Sequence, residues 1–282
     1  MIGRRGIQRL GTLLLALVSL VVVVPILVVV GSIVVRGAPA ISAEFLSAMP
    51  RDGMRAGGVF PAIVGTVLLT LGTAVAAIPV GVGAAVYLSE YARDTWLTRI
   101  IRLSIINLAG IPSVVYGLFG LGLFVLFLRF GTSILAGSLT LAIMTLPVII
   151  STAEEALRGV PVEFRTVSAS LGGTRWQGIR EIVLPQALPG IITGVILGLL
   201  RVAGETAPIL FTVAAFFLPR LPRSLFDQTM ALPYHLYVIS TQVPGMPEEI
   251  QYGTALVLLA LVLSLSLVAT LIRSYFRRKR EW

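Results

Sequence analysis

The amino-acid sequence predicts an all-α integral membrane protein with six spanning helices. Three observations carry that prediction. Only 12% of the 282 residues are charged, against about 25% in a soluble domain. Hydrophobic residues make up 56%, and the mean hydropathy is +0.96. The apolar residues are also gathered into six runs, near 10–35, 60–88, 103–128, 132–151, 187–212 and 252–273. Each approaches or exceeds the roughly 20 residues a spanning helix needs. Such runs differ from the alternating strands of about ten residues in an outer-membrane barrel. Lipid offers the backbone no hydrogen-bond partner, so the runs should close their bonds internally, as helices.

Taken in order, the first run follows Arg4, Arg5 and Arg9, and Ala38-Pro39-Ala40 resembles a signal-peptide cleavage site. The run is nearly twice the roughly 7–15 residues of a signal h-region, so it is expected to stay as an uncleaved first helix. An outer segment, 36–59, leads to the second run. Pro79, Pro112, Pro147 and Pro208 fall in the second to fifth runs. Each removes a backbone donor and predicts a kink. For Pro208 the freed carbonyl is that of Gly204. Gly194 and Gly198 have the GxxxG spacing that lets helices approach closely. A second outer segment, about 213–251, holds five prolines around the strip MALPYHLYVI. That strip is too short to span, which predicts a short surface or re-entrant helix. Its His235 is the only histidine and is expected to be an ordinary polar surface residue. There is no cysteine, which excludes disulfides and thiolate metal sites. No internal repeat is visible, so residues 1–282 form one membrane domain.

The net charge of +9 reports orientation rather than a nucleic-acid partner. With six helices and the N-terminus inside, 15 of the 22 basic residues flank the inner helix ends and six flank the outer ends. That bias puts both termini in the cytoplasm. The one basic residue without a flanking position is Arg201, inside the fifth run.

The inner connection 152–186 differs in kind, being helical in pattern but too polar for lipid. Pro161 suits the first turn of a helix. Val160, Phe164, Val167 and Leu171 then form one apolar stripe, ended by Gly172 and Gly173. Thr174 can cap a second helix in which Trp176, Ile179 and Val183 share a face. Leu184-Pro185 is expected to end that helix and turn the chain back into the membrane. The polar face carries Glu163, Arg165, Arg175, Arg180 and Glu181. A helix lying on lipid favours basic residues there, so the mixed signs favour a cytoplasmic protein partner.

From Gly172, nine residues lead to Ile182-x-Leu184-Pro185. This spacing resembles the later half of the EAA loop of ABC-importer permeases, EAA-x3-G-x9-I-x-LP. GGVFPAIVGT (57–66), GAAVYLSEYA (83–92), GIPSVVYGLFGL (110–121), VLPQALPGIITGVILGLLRVAGETAPIL (183–210) and ALPYHLYV (231–238) stand in the same order as in the A-type permease subunit (PstA) of phosphate ABC transporters. The chain is similar to that family over most of 57–273. It departs from it where Glu-Ala-Ala is replaced by Thr166-Val167-Ser168; Glu163, one turn earlier, is the candidate substitute.

The resemblance implies a type I ABC-importer permease fold with a cytoplasmic coupling loop. It implies pairing with a second, homologous permease subunit and seating on two ATP-binding subunits. It also implies an extracytoplasmic phosphate-binding protein that delivers phosphate. A P-loop requires a Gly-rich turn followed by Lys, and the only lysine is Lys279 in the C-terminal tail. The chain is therefore read as non-catalytic and without a cofactor of its own, with ATP and Mg on the partner subunits. The candidate coupling residues are Glu163, Arg165, Leu171, Gly172, Arg175, Trp176, Ile182, Leu184 and Pro185.

The stretch LLRVAGETAPIL (199–210) holds the candidate path. A charge at the bilayer centre costs from about 2.5 to above 10 kcal/mol. Arg201 and Glu205 stand four residues apart and can neutralise each other. One reading is a structural pair or an inter-subunit bridge. The other is a water-filled path, where the fork of Arg201 suits phosphate and Glu205 keeps the anion from binding too tightly to leave. Thr206 is a further candidate, as a hydroxyl for the anion or, the favoured reading, a packing residue bonded back within the helix; Gly204 and Pro208 form the candidate hinge or a kink for packing. Ser113 and Tyr116 are weaker candidates, favoured as packing residues. Two alternatives stand beside phosphate import. One is a permease of the same family for another oxyanion or small solute; the other is a non-transporting membrane scaffold or regulator.

Overall fold

A computed structural model describes residues 4–170 and 172–278. The first helix is α1 (Arg4–Gly37), whose apolar side chains from Leu13 to Val29 lie open to the surroundings, as in a helix facing lipid. A one-turn helix α2 (Ala43–Ser47) follows, its first turn closed by Ser42 Oγ accepting from Phe45 N at 3.1 Å. A small antiparallel hairpin pairs β1 (Pro50–Arg51) with β2 (Ala56–Gly57). Then α3 (Phe60–Val86) runs unbroken through Pro79 and continues as a π turn to Tyr91.

Thr95 caps α4 (Trp96–Ala109), and α5 (Ser113–Gly120) continues as a wider π segment to Phe127. Ser133 caps α6 (Ile134–Arg158). Two short inner helices, α7 (Val162–Ser170) and α8 (Arg175–Gly178), lead through a π turn at Ile179–Val183 into α9 (Leu184–Gly204). The chain ends with α10 (Ala207–Thr212), α11 (Leu232–Thr241) and α12 (Glu248–Arg278).

The centre of the bundle is α3, α6 and α9 packed on one another, with α12 against α9 and α1 against α12. Close approach explains the small residues of α9. A Cβ on Gly194 would stand 1.8 Å from Thr152 Oγ1 of α6, so any side chain would push the two helices apart. Three apolar clusters result among the described residues. The largest, the outer core, holds Leu69, Leu141, Ile209, Val213, Leu232 and Ile239. The inner core holds Ala85, Leu157, Val160, Val183 and Ile191. A third, of Ala77, Ala142 and Ile149, joins α3 to α6.

Among the described residues, five helices are long and apolar enough to cross a membrane. A sixth span results if α4 and the helix beginning at Ser113 are counted together, across a bend of 102°. The run 103–128 is thus two helices rather than one kinked helix. Gly110 caps α4 and Pro112 precedes α5, and the hydroxyl of Tyr116 closes the corner by donating to Leu108 O at 2.8 Å. The run 187–212 also divides, at Glu205–Thr206.

Leu184-Pro185 does not end a helix, because Arg175–Gly204 is one helical stretch of 30 residues. The π turn widens the helix just before Pro185, where an ordinary turn would set the proline ring against the preceding carbonyls. His235 is also not a surface residue. It is 2% exposed in α11, and burial pushes its imidazole down to about 4. Leu232, Tyr234, Val238 and Ile239 are buried beside it, since α11 lies in the outer core rather than on the surface.

Candidate functional site

At the break after α9, Glu205 adopts extended backbone (φ −76°, ψ 134°) and the helix restarts at Ala207 with Pro208 in its first turn. Pro208 has no N–H for the Gly204 carbonyl, so a continuous helix cannot pass this point without losing a bond. The sequence predicts a bend here, and the structure shows a complete break. Val202, Ala203, Pro208 and Ile209 are buried, and α10 packs against α5.

The opposite side is open. Arg201 Nε lies 3.0 Å from Glu205 Oε1, with the arginine side chain 40% exposed and the glutamate 15%. A Cβ built on Gly204 would meet nothing within 4 Å. Thr206 is half-buried at the break. Tyr116 lies within electrostatic reach of Arg201, but its hydroxyl is committed to the α4–α5 corner. Ser113, the other weak candidate, begins α5. The structure therefore brings Arg201, Gly204, Glu205, Thr206 and Pro208 together at one break, with an uncovered charged face.

The inner loop forms a second cluster. Thr174 and Gln177 make a capping box: Thr174 Oγ1 accepts from Gln177 N at 3.3 Å, and Gln177 Oε1 accepts from Thr174 N at 2.8 Å. Gly172 has φ +75°, the left-handed conformation that ends a helix. Leu171 lies outside the described residues.

The expected apolar stripes divide. Val160, Ile179 and Val183 are buried and Phe164 packs on the inner core, whereas Val167 and Trp176 are each 54% exposed. The π turn shifts the register between Trp176 and the residues after it. Val160 meanwhile precedes Pro161 and lies outside α7. Glu163 and Arg175 are exposed, Ile182, Leu184 and Pro185 are half-buried, and Leu184 packs on the inner core.

Arg165 points inward. Its Nε and Nη2 donate to Glu90 at 3.1 and 2.8 Å, and this pairing raises the guanidinium pKa above its ordinary value. Nearby, Glu154 receives Arg102 Nε at 2.8 Å and Arg158 Nη2 at 2.9 Å. Sequence reasoning names Arg165 as a coupling residue, counts Arg102 and Arg158 only as topology signals, and passes over Glu90 and Glu154. The one available signal was Glu90, a lone acid just past the apolar run 60–88; Glu154, beside Glu155 and behind Ser151 and Thr152, carried none.

Comparison with known proteins agrees with this architecture. Residues 77–282 match the family model for the binding-protein-dependent transport system inner membrane component. The phosphate transport system permease protein PstA 1 of Mycobacterium tuberculosis is 38% identical over 227 residues, covering 80% of this chain and 73% of the relative. PstA of Mycobacterium leprae is 34% identical, covering 99% and 92%. The probable ABC transporter permease protein YqgI of Bacillus subtilis is 32% identical over 95% of both chains. Among solved structures, an inward-facing MetNI methionine ABC transporter superposes with a TM-score of 0.61 at 16% identity, over 76% of this chain and 94% of that one. That last likeness concerns the fold alone. The resemblance carried by GIPSVVYGLFGL and the words around it is thus matched over nearly the whole chain. The chain belongs to the family of binding-protein-dependent transport system inner membrane components, the membrane-spanning permeases of ABC importers.

Proposed function

We propose that this chain is the permease subunit of an ATP-driven importer that carries inorganic phosphate across the cytoplasmic (inner) membrane by alternating access. Its phosphate-permease relatives support the choice of cargo. The observation that carries the reading is the Arg201–Glu205 pair at a broken helix, on a face the chain itself leaves uncovered. Irregular backbone at membrane depth is tolerated where it lines a cavity or meets another protein. Stability is a poor reason to keep such a pair, since desolvation offsets most of its attraction.

In this reading the Arg201 fork takes the phosphate oxygens. Glu205 orients the guanidinium and competes with the anion, so that binding stays escapable. Thr206 contributes a hydroxyl, and Gly204 with Pro208 absorbs the change of angle. A second, homologous permease subunit closes the other side of the path, and an extracytoplasmic phosphate-binding protein loads it.

Energy enters from two ATP-binding subunits that hold ATP and Mg, with no cofactor in this chain. They dock on the cytoplasmic loop, where Val162, Val167 and Trp176 are exposed beside Glu163. Both termini lie in the cytoplasm.

The test is Arg201→Ala in the complete complex reconstituted in vesicles. Labelled-phosphate uptake should be lost while insertion and subunit assembly persist. Failure to assemble would make the pair structural. Competition by sulfate or molybdate equal to that by phosphate would assign the path to another oxyanion. Absence of any substrate-dependent ATP hydrolysis would make the chain a scaffold.

A further inference from the structure

We infer that Glu90 is the positioning residue through which the inner loop is joined to α3, so that displacement of the loop is delivered to that helix; this rests on the importer reading above. Glu90 sits in the π turn that ends the α3 stretch and is 6% exposed. Its carboxylate accepts both Nε and Nη2 of Arg165 from α7, and also Ser89 Oγ at 2.9 Å. The same guanidinium donates to Val160 O at 2.6 Å and Leu157 O at 2.9 Å, where α6 ends. Arg175, the first residue of α8, donates to the backbone carbonyl of Glu90, and its guanidinium lies 5.1 Å over the Tyr91 ring. Both halves of the loop therefore converge on one residue of α3: α7 on its side chain and α8 on its backbone.

The physics makes this a rigid joint. A forked arginine–carboxylate contact fixes direction as well as distance. Its side chains are only 28% and 7% exposed. Pulling Arg165 away would leave a buried carboxylate unpaired, which is strongly unfavourable. Sliding of α7 by an attached ATPase therefore carries the end of α3 with it. α3 runs on from there into the outer core through Leu69 and Ala62. Arg102 braces the same end of α3, donating to Leu88 O at 2.8 Å while paired with Glu154.

This chain has no cysteine, so introduced thiols are the only ones it carries. In the reconstituted complex, Glu90→Gln should lower phosphate moved per ATP hydrolysed about tenfold, while ATP hydrolysis itself continues. Arg165→Lys, which keeps the charge but not the fork, should give a smaller fall in the same direction. Glu90→Cys with Arg165→Cys should show the uncoupled phenotype, and closing the pair with a short bifunctional thiol reagent should restore coupling. Cross-linking yield should be the same with and without ATP, a readout independent of cargo. Unchanged coupling in Glu90→Gln, a cross-link that stops transport, or a yield that falls with ATP would each overturn the joint. Wild-type complex that hydrolyses ATP but moves no phosphate would refute the cargo, while the ATP comparison of cross-linking would still test the joint.

Discussion

In the outer half of the bundle, Leu69, Leu141, Ile209, Leu232 and Ile239 pack into an apolar core, whereas at the inner end Glu90 and Glu154 are held among Arg165, Arg175, Arg102 and Arg158. The outer half also interlocks backbone with backbone. Ser133 N donates to Thr212 O and Ile134 N to Asp227 O, each at 2.9 Å. Apolar packing is undirected and resists deformation through the density of its contacts. Forked ion pairs fix direction between chosen elements. The division fits the proposed importer: the outer elements are fixed to one another, and the inner ones are tied at chosen points.

The largest expected effect breaks the outer half. A Cβ on Gly65 would stand 1.9 Å from the Met230 carbonyl oxygen, a backbone atom that cannot swing aside. Gly65→Ala should destabilise by about 3 kcal/mol or more. Thermal unfolding in detergent checks this, and a shift of only a degree or two would show the outer interlock to be soft.

Next comes His235, buried neutral in the same half with no partner for Nδ1 among the described residues. The unfolded histidine takes up a proton near pH 6.5, but the folded one only at about 4. Stability is therefore complete above pH 6.5, falls as pH drops toward 4, and is lower there by about 3 kcal/mol. Unfolding followed against pH should show this slope, and His235→Phe should remove it.

The smallest effect sharpens the contrast at the inner end. Gly172→Val forces a branched side chain into φ +75°, a local strain of about 1–2 kcal/mol. Global unfolding should barely move, whereas phosphate moved per ATP should fall. Normal coupling in this variant would separate the loop from energy transfer.

Long apolar runs made most spanning helices legible, and the caps of the inner loop were readable from Gly172 and Thr174, though not the answering bond from Gln177. What escaped sequence reasoning depends on the third dimension. Pro112 and Pro208 signalled departures from the helix, but neither reveals whether the chain bends or breaks. A 102° corner needs the Tyr116–Leu108 bond as well. Leu184-Pro185 looked like a stop because the π turn that accommodates it has no residue signature. His235 looked exposed because a lone histidine among turn-forming prolines says nothing of what covers it. Glu90 and Arg165 are 75 residues apart, so each was visible alone and the pair was not. Arg201 and Glu205 were legible because their partnership is local.

The most direct test of the account is labelled-phosphate uptake by the reconstituted complex carrying Arg201→Ala, measured beside its subunit composition. The account predicts a fully assembled complex with uptake reduced to background. Uptake near the wild-type rate in an assembled complex would contradict it.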